Sequence, residues 1–159
     1  MPPDPFTQNP ARWYALVLLL LTAFFAFRVI AQLVQLWHPI EFLPAFGLWH
    51  SGAMPYGWLL GLQVLILIMC LRIVWQLFAN RVIPSPRKGQ RLFVLGCIYF
   101  GGMCGRLLVG LTIAPNHVWF GAMLPTVFHL VLAAFVIFYG RFHSLASQAL
   151  VEVQKGASA

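Results

Sequence analysis

The sequence predicts an all-α integral membrane protein: a bundle of four transmembrane helices, with an interfacial loop on the outer side and a short C-terminal amphipathic helix. Three observations carry this expectation. Of 159 residues, 61% are hydrophobic and only 8% are charged, where a soluble domain carries about 25% charged residues. Four apolar stretches, at 13–37, 56–79, 92–114 and 119–139, approach the ~20 residues that a helix needs to cross a bilayer. Finally, Arg81, Arg87, Lys88 and Arg91 share one short connection, and Arg12, Arg141 and Lys155 flank span ends. Residues 38–55 and 115–118 hold no Lys or Arg. Read as topology signals, these charges place both termini on the cytoplasmic side and the two uncharged loops outside, as in a bacterial inner membrane protein.

The net charge of +7 does not point to nucleic acid, because its cations sit at span ends. The spans occupy more than half the chain and leave no room for a soluble domain, so residues 1–159 form a single membrane unit. Cys70, Cys97 and Cys104 fall inside spans without a CxxC spacing, which implies small packing residues and no disulfide framework. The first apolar run is too long for a signal-peptide core and is read as a retained span.

Residues 1–12 contain Pro2, Pro3, Pro5 and Pro10 and are expected to be a flexible lead-in. Span one then carries Arg28, Gln32 and Gln35 at i, i+4 and i+7, on one helical face. Two readings of Arg28 stand at this point. Either it lies inside the span, or the span ends early and Arg28 snorkels outward, leaving only ~22 Å of helix to cross a ~30 Å core. The loop from Trp37 to Pro55 is rich in aromatic residues and is expected at the outer interface, as a short helix or a lid. Span two opens with Gly57 and Gly61, and span three carries Gly101 and Gly105; both pairs have the GxxxG spacing that permits close helix approach.

The connection 80–91 is read first as topology control and second as anionic-lipid recognition. A tight turn is expected at Pro115-Asn116. In span four, Pro125 is expected to free the carbonyl of Gly121 and bend the helix. The tail places Phe142, Leu145, Ala149 and Val153 on one face, the pattern of an amphipathic surface helix.

Depth along each span brings out a polar layer. Arg28 lies nine residues before Trp37, Arg106 nine before Pro115, His129 ten after Trp119 and Gln63 seven after Tyr56. Each side chain is therefore ~10–15 Å below the outer interface. Arg28, Gln32, Gln63, Arg106 and His129 are the candidate ligand-binding set. The layer has two fixed positive charges and no carboxylate. A buried charge needs compensation, from water, backbone carbonyls, an anionic or carbonyl-bearing ligand, or an acid on another chain. The bland reading is a bundle held together by Arg-to-carbonyl and Gln hydrogen bonds.

A second constellation is His38, Glu41, His50 and His117 at the outer rim, joined by Met54 and Met123. Imidazole with thioether suits copper, and imidazole with carboxylate suits zinc. Interfacial anchoring is the competing reading. Haem has only His129 available deep within a span, so no bis-histidine site is implied. The sequence names no cofactor. Recognised catalytic motifs are absent, and three acids in the whole chain leave little for carboxylate chemistry.

With four spans, a longer outer loop after the first and a short basic loop after the second, the chain resembles in layout small bacterial four-helix membrane proteins such as the DoxX-like group. That likeness transfers no residues. The functional expectation is a small non-catalytic accessory or assembly subunit of a larger membrane complex, contacting lipids and another integral membrane chain. The alternative is a ligand-binding or redox protein that holds a quinone or an anionic lipid headgroup between its helices.

Overall fold

In a computed structural model, residues 10–49, 54–117 and 119–157 are described, and they are helical apart from the connections. The helices are α1 (Pro10–Trp37), α2 (Tyr56–Phe78), α3 (Pro86–Thr112) and α4 (Met123–Ala157), with one 3-10 turn at Phe46–Trp49. All four are long and apolar enough to cross a membrane. The chain is an all-α integral membrane protein. Residues 1–9 of the 1–12 lead-in, His50 and the side chain of Val153 lie outside the described residues.

Helix α1 begins at Pro10, so residues 10–12 of the expected flexible lead-in are helical, proline being suited to a first turn. The starts of α3 and α4 also depart from the expected span limits for local reasons. Helix α3 begins at Pro86, six residues before Leu92. Proline suits a first helical turn, whose N–H groups have no intrahelical partner, and it holds Ser85 extended at φ −144°, ψ 119°. Arg87, Lys88 and Arg91 are therefore helical residues. Helix α4 begins at Met123, so Pro125 sits in its first turn and removes no interior bond. The bend expected there has no cause.

The tail continues α4 without interruption to Ala157. Its buried side is Phe142, His143 and Ser147, while Leu145 and Ala149 are exposed. Phe142 is drawn into the core by Tyr14, whose ring meets it edge-on with centroids 5.8 Å apart. Helix α2 closes with a Schellman motif: Asn80 adopts φ 50°, its N–H bonds the Leu77 carbonyl, and the Arg81 N–H bonds the Gln76 carbonyl.

The packing is uneven. Helix α1 packs on α2 and on α4, and α3 packs on α4 alone; among the described residues α2 and α3 make no backbone contact. The bundle is thus open between α2 and α3. Buried residues make up 39% of the apolar window of α1 and 33% of that of α4, against 17% for α2 and 11% for α3, which marks α2 and α3 as the outer helices. One apolar cluster joins Ala15 and Leu18 of α1, Cys70, Val74 and Leu77 of α2, and Phe135 and Phe142 of α4. The other joins Phe25, Val29 and Ala31 of α1 to Trp49 and Phe128.

Helix α3 supplies a buried residue to neither cluster; what it buries is Gly89, Gly96, Gly110 and Arg106. Its attachment to α4 rests on close approach. A Cβ on Gly96 would stand 2.7 Å from Ile137 Cγ1, and one on Gly140 would stand 2.6 Å from the Phe93 N. Both distances are below any real contact, so these positions hold the backbones together by lacking a side chain. The GxxxG pairs behave differently. Among the described residues, Gly57, Gly61, Gly101 and Gly105 have nothing within 4 Å of a would-be Cβ.

Candidate functional site

At the end of the bundle opposite the basic connection, the two loops meet the polar layer through the main chain of Trp49 and Trp119. Gln35 organises the first of them. Its amide donates to the carbonyls of Leu43, at 3.1 Å, and Ile40, at 3.3 Å, and accepts from the Ile40 N–H at 2.8 Å. The chain then turns through Phe46–Trp49 and drives Trp49 inward, to 2% exposure. The indole N–H bonds the Pro44 carbonyl at 2.8 Å, and the ring stacks on Phe128 with centroids 6.3 Å apart. Among the described residues of the loop, Trp49 alone is buried, and its side chain plugs the space between α1 and Phe128 of α4.

Arg28 is 4% exposed and donates from Nη2 to the Trp49 carbonyl at 3.0 Å, with its guanidinium 5.4 Å from the centre of the Phe128 ring. It lies within the unbroken helix α1 and is buried against the loop and α4. Arg106 repeats the arrangement on α3. Its Nη2 donates to the Trp119 carbonyl at 2.6 Å, and the guanidinium lies 4.1 Å from the centre of that residue's ring. Each arginine thus has a carbonyl and an aromatic face within its own chain, and neither requires an acid from outside.

Between the arginines stands a pair that connects α3 to α4: the Tyr99 hydroxyl lies 2.6 Å from His129 Nδ1. Tyr99 and His129 are both within electrostatic reach of Arg28 and Arg106. Gln63 of α2 donates to Gln32 of α1 at 3.3 Å. The five sequence candidates therefore fall into an Arg28 latch, an Arg106 latch, a Tyr99–His129 pair and a Gln32–Gln63 bridge. Tyr99 was not among the candidates, although it lies seven residues before Arg106 and hence on the same face of α3.

The layer is incompletely satisfied. Among the described residues, Arg28 Nε, Arg106 Nε, Gln32 Nε2, Gln63 Oε1 and the Tyr56 hydroxyl are buried without a hydrogen-bond partner. Each such group costs about 1–3 kcal/mol, and three of the five are nitrogen donors. Chemically, the layer suits an acceptor-rich group such as a carbonyl, a carboxylate or a phosphate.

The rim constellation looks different. Among the described residues, no three of His, Cys, Asp and Glu come together. His38 and Glu41 are exposed, and His117 Nδ1 accepts the N–H groups of Trp119 and Phe120 at 3.2 and 3.4 Å, a turn-stabilising role. His50 lies outside the described residues.

No family model, curated protein or solved structure matches the chain.

Proposed function

We propose that this chain is a small non-catalytic subunit of a larger complex in a bacterial cytoplasmic membrane, with both termini on the cytoplasmic side. The observation that carries the reading is the pair of idle glycine rows. Gly57 and Gly61 on α2, and Gly101 and Gly105 on α3, lie on exposed surface with open space beyond them. Rows of small residues let membrane helices approach closely, and this chain achieves its own close approach with other glycines. The unused rows are suited to a helix from another chain. Orientation follows the distribution of Lys and Arg around the spans.

The test is native mass spectrometry of the protein gently extracted from its own membrane, compared with a Gly101→Leu, Gly105→Leu variant. The reading requires a co-purifying membrane chain that the variant loses while keeping its fold. A lone chain, or a partner indifferent to the substitutions, would overturn it.

A second reading rests on the unsatisfied polar layer: a quinone or an anionic lipid headgroup held by Arg28, Gln32, Gln63, Arg106 and His129. It requires a small adduct on the extracted chain that disappears in Arg106→Leu without loss of assembly.

A further inference from the structure

At the opposite end of the molecule a cleft of about 480 Å³ opens between α2, the 79–85 connection, α3 and α4. Three cations line it: Arg81 from the connection, and Lys88 and Arg91 from the first turns of α3. His143, 3% exposed, forms part of the wall, and its Nδ1 accepts the Ser85 N–H at 3.3 Å. Tyr139 and Gln76 add a hydroxyl and an amide, and no carboxylate is among the lining residues.

We propose that this cleft binds the phosphate of an anionic membrane lipid. Cations gathered at a helix N-terminus oppose the helix dipole, and the first turn of α3 contains no acid to offset them. An anion in the cleft offsets that opposition: it meets the side-chain charges of Arg81, Lys88 and Arg91 beside the first two turns of α3. Arg is suited to it by the planar fork that pairs with phosphate oxygens.

The surroundings favour a lipid over free phosphate. Gln76 lies in the last turn of α2 and Tyr139 lies near the expected end of span four, so the cleft sits at headgroup height. Above it, among the described residues, the backbones of α2 and α3 stand apart, which leaves a lateral slot toward the hydrocarbon. Ile83, 85% exposed, and Leu92 supply apolar surface along its edge for acyl chains. Basic pockets between spanning helices at a membrane face are a recurrent setting for anionic headgroups.

The test uses the full chain in vesicles of phosphatidylglycerol mixed with phosphatidylcholine, followed by native mass spectrometry of retained lipid. Phosphatidylglycerol is expected to stay bound in preference to phosphatidylcholine. Lys88→Gln with Arg91→Gln should weaken retention about thirtyfold, the size expected for two membrane-proximal cations. Both side chains are exposed, so the fold should survive. Arg12→Gln with Arg141→Gln removes as much charge from the same end without touching the cleft lining, and should leave retention unchanged. Lys88→Arg with Arg91→Lys should also retain the lipid. Equal losses from both Gln pairs would mean diffuse surface attraction and overturn the proposal. So would displacement of the lipid by inorganic phosphate, or the absence of any preference for phosphatidylglycerol.

Discussion

Arg106 grips Trp119 twice, through a 2.6 Å bond to its carbonyl and through a guanidinium placed 4.1 Å from the centre of its ring. The residues are thirteen apart, one inside α3 and one in the following loop. Arg28 makes the corresponding connection from α1 to the loop that follows it. The two buried charges therefore act first as latches that hold the returning loops down on the bundle. Compensation by carbonyl and ring explains how two arginines persist in spans that contain no acid.

Arg106→Leu should release the 113–122 loop and lower stability by about 2–4 kcal/mol, the sum of a charge-assisted bond and a cation–ring contact. Arg106→Lys should recover less than half, because an ammonium cannot reach the carbonyl and lie flat on the indole together. Limited proteolysis of the loop and thermal unfolding in detergent would measure both effects. Unchanged cleavage in Arg106→Leu would remove the latch.

The glycines separate just as sharply. Gly96→Leu should detach α3 from α4, with a cost of at least the ~1–3 kcal/mol typical of overpacking, since its Cβ alone would fall 2.7 Å from Ile137. Gly101→Leu should be nearly silent in the isolated chain, because nothing lies within 4 Å of that position. Thermal melts of the two purified variants decide the matter. A destabilised Gly101→Leu monomer would contradict the open face described for α3.

Much of the fold is legible because the signal is physical: a span of Leu, Phe, Ile and Val can only be satisfied as a helix in lipid. The errors are equally physical. Arg87, Lys88 and Arg91 look like loop residues by charge, yet Arg and Lys are good helix formers and Pro86 suits a helix start. GxxxG spacing counts glycines without saying which face they occupy, so it picked out Gly101 and passed over Gly96 and Gly140. In the polar layer Arg28, Arg106 and His129 stand out by type and depth. Their partners, the carbonyls of Trp49 and Trp119, are main-chain atoms and leave no mark in a sequence.

Asn80 tests the end of α2. Its φ of 50° is a conformation that glycine adopts freely and asparagine tolerates. Asn80→Gly should be neutral to within a few tenths of a kcal/mol, whereas Asn80→Val should cost about 1–2 kcal/mol. The second variant should also displace Arg81, the first cation of the cleft. Thermal melts give the stability and lipid retention gives the displacement. A stable Asn80→Val would mean that the turn relaxes without the left-handed residue.

Trp49 offers the most exacting test of the plug. Trp49→Phe keeps a ring against Phe128 and loses the indole bond to Pro44, worth roughly 1 kcal/mol. Trp49→Ala empties the site and should cost about 3–5 kcal/mol. It should also harm Arg28 indirectly, since the acceptor of Arg28 is the Trp49 carbonyl, held in place by the buried ring. Arg28→Leu and Trp49→Ala should therefore be strongly non-additive, the double variant losing less than the sum of the singles, because either change alone already opens the latch. A double-mutant cycle by thermal unfolding measures the coupling. Simple additivity would mean that ring and guanidinium contribute separately, and that Arg28 finds another acceptor once the plug is withdrawn.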